Sequence, residues 1–166
     1  MTEDLLRRLA MFVVLCLAQV LILNHIHLFG VAIPLLYIYF VITFRRGTPK
    51  WMILLWGFFM GLTIDVFAST PGLAAFTLTL IAFLQPYWLE LFVPRDSAEN
   101  MEVSVSALGL SKYVTFAGAL VLLYCILFFA LEAFNFFNVL MWLEHTVASC
   151  ALTMLLIIAI ESVRSK

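Results

Sequence analysis

Asp65 is the residue whose placement asks most of its surroundings. It stands in a long apolar run, and Gly57, Gly61 and Asp65 recur every four residues, which puts all three on one face of a helix. The glycines form a small-xxx-small element that lets another helix backbone approach closely. An Asp at mid-membrane costs about 3 kcal/mol on insertion scales, so the carboxylate needs a partner. Ser69 and Thr70 follow it, and Pro71 and Gly72 make a tight turn into the next apolar run. Amides at a helix N-terminus welcome negative charge. The reading is that Asp65 caps the turn and locks a helical hairpin; a proton or cation site is the functional alternative. The same glycine face is also where a partner's transmembrane helix could pack.

A second set of polar residues comprises Asn24, His25, His27, Glu132, Glu144 and His145. All fall near the ends of apolar runs, towards one side of the membrane. Together they would form a solute cup or a docking surface for an external domain, and interfacial polar residues without a shared role are the plainer alternative. His25 and His27 flank one residue and lack a third ligand, which makes a poor metal site. No Ser/His/Asp arrangement, H-E-x-x-H or phosphate-binding loop occurs. The chain reads as a non-enzyme with no catalytic residues, metal or cofactor.

The elements that carry these residues follow from composition. Of 166 residues, 65% are hydrophobic and 11% charged, against about 25% charged in a soluble domain. Mean hydropathy is +1.12. A membrane helix needs roughly 20 apolar residues, and the expected spans are 8–25, 28–44, 50–68, 72–92, 113–131 and 139–160. They form one all-α transmembrane domain over residues 1–166, with a cytoplasmic loop at 93–112. Helix is expected because lipid forces backbone groups to bond within each segment.

The basic residues orient the bundle. Arg7 and Arg8, then Arg45, Arg46 and Lys50, then Arg95 and Lys112, and finally Arg164 and Lys166 fall on alternate connections. The other connections hold no Lys or Arg. The positive-inside rule then places both termini in the cytoplasm. The loop 45–50 reads as a topology determinant, with contact to anionic headgroups as the lesser alternative. No basic stripe is large enough for nucleic acid. Gln19 is a candidate for hydrogen bonding between helices.

Several of these residues also carry a resemblance. Gly61, Asp65, Ser69, Pro71 and Gly72 resemble the rod shape-determining protein MreD family, which has a Gly-x-x-x-Asp closing one span before a short Gly-containing turn. Asn24 to Gly30 followed by Pro34, Leu35, Leu36 and Tyr37 resembles the family's first hairpin. Gln85, Pro86 and Tyr87, with Pro94, Arg95 and Asp96, resemble the close of its fourth span. The match covers about residues 10–100.

The resemblance implies a scaffold of the bacterial cell-elongation machinery, active in peptidoglycan synthesis at the cytoplasmic membrane. It implies as partners an MreC-like bitopic protein, a RodA-like glycosyltransferase with its transpeptidase, an MreB-like filament, and membrane lipid. It also implies a fold similar to the substrate-binding subunits of energy-coupling-factor vitamin transporters. Such a subunit is the alternative function, although short outer loops and the lack of an Ala-x-x-x-Ala docking pair argue against it.

Overall fold

A computed structural model describes residues 2–26, 30, 32–134 and 138–166. The described chain is all-helical, and five of its helices are long and apolar enough to cross a membrane. In chain order the helices are α1 (Thr2–Leu21), α2 (Ile38–Ile42), α3 (Lys50–Ala68), α4 (Leu73–Phe92), α5 (Val105–Leu108), α6 (Leu110–Ala133) and α7 (Val139–Arg164), with a single 3-10 turn at Leu23–His25 after α1. The protein is thus of multi-pass membrane type. α3 and α4 form an antiparallel hairpin, and α6 packs against both α4 and α7.

The second expected span differs from its forecast. Within 28–44 the described residues form only the five-residue α2, and the rest is irregular. Pro34 disfavours helix in the residue before it and removes a donor. From Pro34 onward the segment does not face lipid. Pro34 to Ile42 and Phe44 are all buried, with Ile38, Val41, Ile42 and Phe44 at 0% exposure. Irregular backbone is tolerated at membrane depth only where protein covers it, and here the long helices provide that cover. Phe40 packs its ring against Phe12 of α1 and Trp56 of α3 at centroid distances of 5.7 and 5.8 Å. Tyr37 meets Tyr124 of α6 edge-on, with the two hydroxyls hydrogen-bonded to each other.

The loop 93–112 is not simply a solvated connector. The Arg46 amide donates to the Met101 carbonyl at 3.1 Å. Ser104 caps α5 by accepting from the Ala107 amide, and Val103 is fully buried. Glu161 near the end of α7 accepts from the Val105 amide at 3.1 Å and from the Tyr39 hydroxyl at 2.8 Å. One buried carboxylate therefore ties this loop, the interior segment and α7 together.

Candidate functional site

The hairpin face is assembled by local chemistry. α3 stops at Ser69, in the left-handed region at φ 57°, and Gly72 at φ 78° starts α4. Such backbone is cheap for glycine and uncommon for serine. Inside this turn Asp65 is 4% exposed. Its Oδ1 accepts from the Thr70 hydroxyl and the Ala74 amide, and its Oδ2 from the Ala75 amide, all at 2.8 Å. The carboxylate thus satisfies two of the donors that the start of α4 leaves open. Pro71 lies within the turn. The geometry is that of the cap expected from spacing, with both amides in the first turn of α4.

Gly57 and Gly61 let this happen. A Cβ on Gly61 would stand 2.5 Å from the Ala75 Cα and 2.6 Å from the Ala74 carbonyl oxygen. One on Gly57 would stand 2.9 Å from the Ala82 Cβ. The occupant of the glycine face is α4 itself, which corrects the idea that a partner's helix packs there. Asp65→Asn keeps one acceptor but turns an amino group towards the remaining amides. We expect it to cost about 1–3 kcal/mol, seen as a lower thermal midpoint in detergent; an unchanged midpoint would show the cap to be dispensable.

A second constellation holds the irregular interior segment. Gln19 is fully buried. Its Nε2 donates to the Pro34 carbonyl at 2.8 Å and to Asn24 Oδ1 at 2.9 Å, while its Oε1 accepts from the Leu36 amide at 3.1 Å. From the other side, Ser149 Oγ accepts from the Ile33 amide and Thr153 Oγ1 from the Leu35 amide, both at 3.1 Å. Gln85 donates to the Phe44 carbonyl at 3.3 Å. Buried backbone groups need such partners, and side chains supply what a helix would have supplied internally. Of these residues Gln19, Asn24 and Gln85 stand out in the sequence, and Gln19 alone as a hydrogen-bonding group between helices. The signal for the others was the spacing of Ser149, Thr153 and Glu161, which puts polar groups on one face of α7.

The polar residues expected at the outer end are partly brought together. Asn24, His25 and Glu132 line a cavity of about 430 Å³ with Thr70, Tyr37 and apolar neighbours from α1, α3 and α6. Gln19 orients Asn24 through the bond above. Glu132 also borders a neighbouring cavity of about 300 Å³ with His145, Trp142 and Asn138. Glu144 is exposed and lines neither. His27 lies outside the described residues. Among those described, no three His, Cys, Asp or Glu side chains gather as a metal site. The arrangement offers hydrogen-bond donors, acceptors and a carboxylate at the rim of an apolar hollow. Its size falls within the range of small-molecule pockets.

At the opposite end the basic residues converge. Glu102 contacts Arg7 at 3.5 Å, Arg164 at 2.7 Å and Arg45 more closely still. Burial by itself would raise the Glu102 carboxyl, but the hydrogen bond and charge of Arg45, with Arg7 and Arg164, hold it below the usual carboxylate value. The first turns of α1 and the last turn of α7 therefore meet at one carboxylate. Comparisons of the chain with models of known protein families, with curated proteins and with solved structures gave no match.

Proposed function

We infer that the protein is a non-enzymatic scaffold subunit of the bacterial cell-elongation machinery, acting in peptidoglycan synthesis from the cytoplasmic membrane. The observation that carries this reading is that the chain fills its own interior. The volume a solute would cross is taken by residues 34–44, and the buried side chains Gln19, Gln85, Ser149, Thr153 and Glu161 are spent on backbone or tyrosine groups. That is the economy of a rigid body rather than of a moving gate. One of the three stretches that carry the MreD-like resemblance, Gly61 to Gly72, also builds the hairpin lock. The path of residues 32–46, from the outer cavity to the basic end, supports six passages with both termini in the cytoplasm. With the glycine face covered by α4, contacts with an MreC-like protein, a RodA-like glycosyltransferase or its transpeptidase fall to the sparsely covered outer faces of α1 and α7. An MreB-like filament would meet the basic end.

A specific observation favours a second reading. The cavity of about 430 Å³ lined by Asn24, His25, Thr70 and Glu132 suits the substrate-binding subunit of a vitamin transporter. Gentle-detergent affinity purification of the tagged protein from its native membrane, with mass spectrometry of what accompanies it, separates the two. MreC-like, RodA-like and transpeptidase proteins are the expected companions. Paired ATPases with a coupling subunit would replace the scaffold reading with the second one.

A further inference from the structure

We propose that the basic end of the bundle holds the headgroup of an anionic phospholipid, in a cleft between α1, the turn 45–49 and the start of α3. Two adjoining hollows share Asp4, Arg8 and Arg45 as lining. The inner one adds Arg7, Glu102 and Arg164. The outer one, about 510 Å³, adds Arg46, Thr48 and Asn100, and its apolar side is Leu5 and Met52.

The charges in this cleft do not balance. Glu102 is taken by Arg7, Arg45 and Arg164, and Asp4 lies 3.5 Å from Arg45. Buried Glu161 stands 3.9 Å behind Arg164. Among the described residues the Arg46 side chain donates only to the carbonyls of Pro94 and Ser97, which carry no net charge. Arg8 forms no ion pair among the described residues and lies over the Phe44 ring at 4.4 Å. The Nη1 of Arg164 is buried without a hydrogen-bond acceptor. Two whole guanidinium charges, those of Arg8 and Arg46, thus remain open towards an anion.

The complement is a phosphate carrying an apolar tail rather than a free ion. Leu5 stands half exposed on α1 beside Met52 on α3, so the cleft opens onto the lipid-facing flank of two membrane-spanning helices. Basic pockets between transmembrane helices suit phosphorylated headgroups. In this arrangement Arg8 and Arg46 donate to the phosphate oxygens, Thr48 and Asn100 bond the polar substituent, and the acyl chains run between α1 and α3. This site is independent of the proposed partners. It needs only the membrane and the geometry of one end.

The test is native mass spectrometry of the full-length protein released from mixed detergent micelles that contain phosphatidylglycerol and phosphatidylcholine in equal amounts. Wild type is expected to retain phosphatidylglycerol preferentially. Arg8→Gln with Arg46→Gln should weaken that retention more than about tenfold, and Arg8→Lys with Arg46→Lys should restore most of it. Lys112→Gln with Lys166→Gln, outside the cleft, should match wild type. A thermal midpoint recorded for each variant guards against misfolding, and if the Gln pair fails to fold, the lipid preference of wild type alone still decides. Equal retention of both lipids would overturn the proposal. So would undiminished retention by a folded Gln pair, or complete displacement by millimolar inorganic phosphate, which would make the cleft a soluble-anion site.

Discussion

Gly61→Leu is expected to prevent the α3–α4 hairpin from closing, and to yield little or no monodisperse protein in detergent. A Cβ alone would sit 2.5 Å from the Ala75 Cα and 2.7 Å from its nitrogen. The obstructing atoms are backbone, so no rotamer change relieves the clash and the helices must part. Parting them moves the Ala74 and Ala75 amides, which are the Asp65 partners. Overpacking costs about 3 kcal/mol or more, and loss of the cap adds to it through the same atoms. Gly118→Ala is the matched control, since a Cβ there meets only the flexible Met154 terminus at 3.7 Å. Size-exclusion profiles and thermal midpoints of the two variants read the contrast directly. A Gly61→Leu protein that elutes and melts like wild type would mean that the helices do not approach so closely. If the scaffold reading holds, the variant also leaves rod-shaped cells rounded.

How far the sequence could be read depended on how local each feature is. The Asp65 cap joins residues within ten positions of one another, and the spacing of Gly57, Gly61 and Asp65 with the Pro71 and Gly72 turn was enough to expect it. What packs on the glycine face is a question of which helix comes near, and spacing leaves α4 and a foreign helix equally possible. Five of the six expected spans correspond to long apolar helices. The expectation of a continuous helix over 28–44 fails at its described residues, because hydropathy reports burial in an apolar medium, whether lipid or protein, and a short buried run has no period of its own. Pro34 was visible but reads as a tolerated kink when the run is taken as helix. The groups that rescue the irregular backbone are more than 100 residues away in the case of Ser149 and Thr153. The outer polar set was drawn too widely for a similar reason. Position near a helix end places Glu144 at the right depth, but its helix face turns it away from the cavity.

Gln19→Leu separates these two views of the interior, and its expected effect is the larger for running against hydropathy. Leucine makes α1 more apolar and is of comparable size, so a helix that merely faces lipid would accept it without loss. The structure requires the opposite. The substitution strands the Pro34 carbonyl and the Leu36 amide in a buried segment, and frees Asn24 from its orienting bond. Each unsatisfied buried group costs about 1–3 kcal/mol, so the two together cost about 2–6 kcal/mol. We expect a markedly lower thermal midpoint in detergent, together with faster amide exchange at Leu36. Gln19→Glu, neutral when buried, keeps an acceptor for Leu36 and one O–H donor in place of the two N–H donors that serve Pro34 and Asn24, and should fall between. Thr153→Val removes the acceptor of the adjacent Leu35 amide. Since both positions restrain the same irregular segment, the double variant should lose less than the two single losses added together. A stabilised Gln19→Leu protein would mean that the interior segment finds its hydrogen bonds elsewhere. Fully additive losses would mean that it is held at two independent points. Either result would bear on the outer cavity as well, because Asn24 reaches its place there through Gln19.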